Sequence, residues 1–231
     1  MKPTKSDRRA LAAFMAPALV MMLVFFVIPV LYVITVSVLK WNGISAPSFN
    51  GMKNFALLFK DKAFIRSIVN NIVWAFTAAC IQVPLAMLMA IILSRKPKGW
   101  KFFRTVYFFP QVISGIALAM LWRGIYNADY GLLNGLLKAI GLGHLSCDWL
   151  GGLKTAFPAV LIYWVFYVGY YMVIMMADIT TIDQSYYEAA TIDGASDFQQ
   201  AIYITIPLIK KTSLLTCVTL ASIMGLRQFE Q

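Results

Sequence analysis

The side chains able to do chemistry in this 231-residue chain are sparse, and few are spaced to act together. His144 is the single histidine, and Cys80, Cys147 and Cys217 stand far apart in the sequence. A zinc or haem centre needs ligands this spacing does not gather, and no cysteine pair proposes a disulfide. Gly151-Gly152-Leu153-Lys154-Thr155 is only superficially like the phosphate-cradling Gly-x-x-x-x-Gly-Lys-Ser/Thr loop, so ATP chemistry belongs on another chain. No paired carboxylates, His-Glu-x-x-His or Ser–His pair falls within an apolar run, which argues against an intramembrane enzyme.

Two patterns remain. Tyr163, Tyr167 and Tyr170 recur at i, i+4 and i+7, the spacing of one helix face, with Trp164 beside them. Aromatic faces and planar amides hold sugars, so these residues, with Asn70 and Gln82, are candidates for a solute path. The same residue types also serve helix packing and the membrane interface. The second pattern is the polar stretch Ile182 to Pro207, which contains Glu188-Ala189-Ala190, then Asp193-Gly194, then Ile204-Thr205-Ile206-Pro207.

The elements that must position these residues are read from charge and hydropathy. The chain is 60% hydrophobic and 13% charged, too apolar for an ordinary soluble domain. Five segments lack formal charge: Leu11 to Leu39, Ser67 to Ser94, Thr105 to Trp122, Thr155 to Ala177 and Thr212 to Leu226. About 20 apolar residues cross a bilayer core of about 30 Å. Four segments therefore qualify, the third narrowly, and the fifth does if it begins near Ile206 and lets Lys210 and Lys211 snorkel. The first is too long for a signal peptide, although Lys2, Lys5, Arg8 and Arg9 precede it. The net charge of +10 sits at the ends of apolar runs without interleaved aromatics, so it reads as membrane orientation and excludes nucleic acid as a partner. Basic residues in Arg95 to Lys101 and at Lys210 and Lys211 place the N-terminus inside, Asn127 to Leu153 outside and Ile182 to Ile206 inside. Lys53, Lys60 and Lys62 pull mildly the other way. Pro17, Pro29, Pro84, Pro110 and Pro158 fall in or beside the spans, each freeing a carbonyl that a neighbour must satisfy.

Within Ile182 to Pro207, Asp183 can cap a first short helix, Gly194 can end it in a left-handed conformation, and Ser196 with Gln199 has capping-box spacing for a second. The result is a helical elbow. Asp178, Asp183, Glu188, Asp193 and Asp197 make it acidic, which suits a basic protein partner better than an anionic leaflet. A proton-coupled carrier would hold a carboxylate within the membrane, and none of the five segments does. Sodium coupling through backbone carbonyls is the alternative reading, an ion-coupled secondary transporter, and it leaves the elbow unexplained.

Glu-Ala-Ala, three residues, Gly, nine residues and Ile-x-Leu-Pro resembles the pattern of permeases of binding-protein-dependent ABC importers. Glu188, Ala189, Ala190, Gly194, Ile204 and Pro207 match it, with Ile206 in place of Leu. Trp41-Asn42-Gly43, Phe103-Arg104, Phe109-Pro110, Tyr130-Gly131-Leu132-Leu133-Asn134 and Tyr187 to Ala195 are similar to the carbohydrate-uptake, maltose-type branch. The resemblance implies an all-α type I importer fold in the cytoplasmic membrane of a bacterium or archaeon. It implies a cytoplasmic segment at 1–10 and one permease domain at 11–231, with 182–207 as the coupling loop. It also implies a second permease, two cytoplasmic ATPase subunits that bind ATP and magnesium, and an extracytoplasmic solute-binding protein. Glu188, Ala189, Ala190, Asp193, Gly194, Ile204 and Pro207 would contact the ATPase. Arg227-Gln228-Phe229-Glu230-Gln231 resembles sequence leaving the fifth core helix, so a further helix is expected after it.

Overall fold

The computed structural model of the chain describes residues 5–226, and side-chain surroundings from residue 10 onward. The side chains of the basic N-terminal cluster and the run Arg227 to Gln231 lie outside the described residues. The elements, in order, are α1 (Ala10–Ser37), a two-stranded antiparallel ribbon of β1 (Leu39–Lys40) and β2 (Ser48–Phe49), and α2 (Lys53–Leu58). Then come α3 (Lys62–Ser94), α4 (Trp100–Gln111), α5 (Gly115–Ile125), α6 (Leu132–Ala139), α7 (Ala156–Ile179), α8 (Gln184–Ile192) and α9 (Asp197–Leu226). They form two compact units, Met1–Ile68 and Val69–Gln231.

In the first unit, α1 is a 28-residue apolar helix. Trp41-Asn42-Gly43 forms a turn in which Asn42 Oδ1 accepts from the N–H groups of Ile44 (3.1 Å) and Ser45 (2.8 Å). Asn54 Nδ2 donates to the carbonyls of Ser37 and Leu39, both at 2.8 Å, and so ties α2 to the end of α1.

The second unit is built on α3, α7 and α9. Ala86 and Ala90 of α3 and Met172 and Met175 of α7 are all 0% exposed. Small residues let backbones approach closely where packing rather than hydrophobicity drives association in lipid. Gly225 does the same for α9, since a Cβ there would lie 2.8 Å from the Ala75 Cα.

Three prolines share one local solution. Pro29, Pro84 and Pro207 each follow a π-helical stretch, at Leu23–Val27, Ala78–Gln82 and Ala201–Thr205. A proline ring clashes with the carbonyl four residues back and offers that carbonyl no N–H. In all three cases that carbonyl lies within the π stretch, where the extra residue widens the turn.

The third charge-free segment is not one straight helix. α4 and α5 meet at 102°, so the described residues contain four helices long and apolar enough to cross a membrane, or five if the bent pair counts as one. Pro110 removes a donor at the end of α4, and Ser114, in an extended conformation, caps α5 by accepting from the Ala117 N–H at 3.3 Å. The fifth span is longer than its charge-free core, because α9 begins at Asp197 and runs for 30 residues.

Candidate functional site

The elbow forms as its residue types dictate. Asp183 caps α8 by accepting from the Ser185 N–H at 2.9 Å. That bond holds its carboxyl below the usual carboxylate range. The cap's contribution is therefore present above the unfolded-state pKa and is lost as pH falls through the lower folded value. At the other end of α8, Gly194 has φ +79°, the Gly194 N–H donates to Thr191 O (3.1 Å) and the Ala195 N–H to Ala190 O (2.9 Å). That pair of bonds is a Schellman cap. Ser196 and Gln199 then make the reciprocal capping box that starts α9.

The inner side of the elbow is bonded to the membrane helices. Tyr187 Oη and Thr205 Oγ1 lie 2.9 Å apart, and Gln200 Nε2 donates to Thr191 Oγ1 at 3.0 Å. Arg95, at the end of α3, pairs with the Asp197 carboxylate and donates to the Asp197 carbonyl at 2.7 Å. The Asp178 carboxylate at the end of α7 accepts from the Thr212 hydroxyl and from the Ser213 N–H in the π-helical stretch Lys210–Leu214. A cleft of about 490 Å³ lies behind, lined by residues that include Ile91, Arg95, Ile182, Tyr187 and Thr205. On the outer side, Glu188, Ala189, Asp193, Gly194 and Pro207 are exposed, whereas Ala190 and Ile204 are half-buried. Ile192 and Phe198 are 87% and 74% exposed.

The aromatic stripe of the fourth span is arranged differently from its spacing. α7 breaks at residues 166–168, separating Ala156–Val165 from Gly169–Ile179, so Tyr163, Tyr167 and Tyr170 do not share one continuous helix face. Tyr163 stacks on Trp122 at 5.3 Å, and Tyr167 Oη donates to Pro110 O at 2.6 Å, tying the break to the bend between α4 and α5. Trp164 is buried against Trp74 at 5.2 Å. Gln82 is buried, and its Nε2 donates to the carbonyls of Trp164 (2.9 Å) and Tyr167 (3.1 Å). Asn70 and Tyr170 retain surface, Tyr170 being 43% exposed. Sequence reasoning missed Arg95, which lies 102 positions from its carboxylate partner, and the clamping role of Gln82.

Gln82→Leu should loosen the break. Interhelical hydrogen bonds in membranes contribute about 0.6 kcal/mol each and at most about 1.7. Losing two should therefore lower the thermal midpoint of the detergent-solubilised protein, while Asn70→Ala leaves it in place. An unchanged midpoint in Gln82→Leu would show that the break is held by packing alone.

Apolar spans, broken helices tied together near the middle, and a bonded elbow at one end define a membrane-embedded transport subunit. Residues 82–226 match the family described as "Binding-protein-dependent transport system inner membrane component". The chain belongs to that family, a multi-pass inner-membrane component. It is 39% identical over 210 residues to a probable ABC transporter permease protein (YurN) of Bacillus subtilis, covering 89% of this chain and 71% of that one. It is 33% identical over 211 residues to the diacetylchitobiose uptake system permease protein (NgcF) of Streptomyces coelicolor, covering 86% of this chain and 60% of that one. Its fold matches a bacterial ABC transporter that imports the acidic polysaccharide alginate, with a TM-score of 0.80 at 23% identity over 97% of this chain and 78% of that one. A second structure of a bacterial alginate ABC transporter, in complex with a pentasaccharide-bound periplasmic protein, matches with a TM-score of 0.78 at 25% identity over 93% of this chain and 73% of that one. The fold is thus all-α, that of an ABC importer permease.

Proposed function

We propose that this chain is the translocation subunit of an ATP-driven importer for a sugar or related small solute, and that residues 182–207 couple it to a separate ATPase that binds ATP and magnesium. The observation that carries the coupling is the two-sidedness of the elbow. Its inner side is bonded to α3 and to α9, while its outer side presents Glu188, Asp193 and the exposed Ile192. An exposed apolar residue flanked by carboxylates on one helix fits a protein interface with basic groups. The elbow would lie on the cytoplasmic side and the 127–153 loop outside, facing a solute-binding protein. A second permease would complete the path. The sugar rests on the relatives named for diacetylchitobiose and alginate. Of the solute-path residues, Tyr170 and Asn70 keep the surface that contact requires, while Trp164, Gln82 and the Tyr167 hydroxyl are committed to internal contacts.

Expression of the chain with a tag, together with the products of neighbouring reading frames, tests the reading. An ATPase subunit should co-purify, and ATP should drive uptake of labelled oligosaccharide into reconstituted vesicles. Uptake that instead follows an imposed sodium gradient without ATP would overturn it.

A further inference from the structure

The start of α4 carries a groove that the transport role does not use. Lys101, Arg104, Thr105 and Phe108 recur at i, i+3, i+4 and i+7, so they line one helix face. With Trp100 and with Val173 of α7 they enclose about 360 Å³. The groove is graded in chemistry along its length. Both cations lie in the first turn and a half of α4, and Phe108 lies seven residues past Lys101 and four past Arg104, about 10 Å and about 6 Å deeper at 1.5 Å per residue. No acidic residue lines it, and among the described residues neither Lys101 nor Arg104 meets a carboxylate. Lys101 Nζ sits 6.0 Å from the Trp100 ring centroid, the outer reach of a cation–π contact, which keeps the ammonium at the mouth. Exposed Lys96 and Lys98 in the preceding loop add to the positive field there.

A soluble anion would use only the cationic end. A ligand bearing a phosphate and a hydrocarbon chain uses both ends, and Arg with Lys is the side-chain pair that holds phosphate best. We propose that this groove binds an anionic phospholipid, with the phosphate between Lys101 and Arg104 and an acyl chain along Phe108 and Val173. Basic pockets between membrane helices have this chemistry, and each near-surface cation adds about 1 kcal/mol of attraction to anionic lipid. The site discriminates by charge, so a zwitterionic lipid of the same chain length binds less well.

The test is native mass spectrometry of the chain purified with its partner subunits, loaded with dioleoyl phosphatidylglycerol or dioleoyl phosphatidylcholine. Wild-type protein should retain phosphatidylglycerol several-fold over phosphatidylcholine. Lys101→Gln with Arg104→Gln should erase that preference, and Thr105→Trp, which fills the groove from an exposed position, should reduce retention of phosphatidylglycerol. Glycerol phosphate, the headgroup without chains, should not compete. The proposal is overturned if the wild type shows no preference. It also fails if the double variant keeps the preference, or if glycerol phosphate displaces the lipid, which would make the site one for soluble anions. The thermal midpoint of each variant, expected to equal wild type because the altered side chains are exposed, guards against misfolding as the cause.

Discussion

Gly169→Ala is expected to remove most of the folded protein from the membrane. At this position, where α7 resumes after its break, a Cβ would lie 2.1 Å from Tyr107 O, 2.7 Å from Tyr107 C and 2.8 Å from Phe108 Cα. All three atoms are backbone, so no rotamer change relieves the overlap. α4 would have to move by about 1 Å to restore van der Waals contact, at the cost of the Tyr167 hydrogen bond to Pro110. Overpacking of this kind costs about 3 kcal/mol, at the upper end of the usual range. That is roughly a hundredfold in the ratio of folded to unfolded chain. Gly115→Ala and Gly124→Ala are the controls, since a Cβ at either meets nothing within 4 Å. Recovery of monodisperse protein after mild detergent extraction, with its thermal midpoint, reads the effect. Gly169→Ala purifying with wild-type yield and midpoint would mean that α4 and α7 are not in contact as described.

The same region shows what a sequence does and does not reveal. Asp183, Gly194, Ser196 and Gln199 are legible because each acts on backbone groups no more than five residues away, so residue type and spacing carry the whole argument. The break in α7 is not legible, because it exists only with Gln82 and Pro110 to bond its residues, and those come from 82 or more and 57 positions away respectively. The spacing of Tyr163, Tyr167 and Tyr170 predicts one face only while the helix runs unbroken. The prolines announce that carbonyls will be freed. They do not announce that a π-helical turn before Pro84 and Pro207 will absorb the strain, since that depends on neighbours accepting a wider helix. The continuity of α9 is similar: Lys210 and Lys211 interrupt the apolar run, yet the helix passes through them from Asp197 to Leu226. The elbow's second half and the fifth span are consequently one continuous helix, which under the proposed coupling would make the elbow a lever rather than a tether.

That lever gives the second large effect. Gly194→Val should reduce import about tenfold or more while leaving insertion and the thermal midpoint of the membrane part close to wild type. Gly194 holds φ +79°, and a Cβ there meets nothing within 4 Å, so the whole penalty is conformational. A left-handed backbone costs an L-residue roughly 1–2 kcal/mol, and a β-branched side chain is among the least suited to it. The escape from strain is to abandon the Schellman cap, which frays the end of α8 and turns Glu188 and Ile192 away from their common surface. Under the coupling proposal, apparent affinity for the ATPase falls by the fraction of chains that keep the docking shape, and 1.4 kcal/mol of strain is a tenfold loss. Gly194→Asn separates conformation from contact, because asparagine tolerates the left-handed region and should retain most activity. Glu188→Lys leaves the backbone alone and reverses an exposed charge, so it should weaken docking to a basic partner while the elbow stays folded. The measurement is paired: capture of the ATPase by each variant, and ATP-driven uptake in vesicles holding equal amounts of inserted chain. Equal import by Gly194→Val and wild type would remove the lever, and equal failure of the valine and asparagine variants would put the sensitivity in the partner's contact surface instead of the turn.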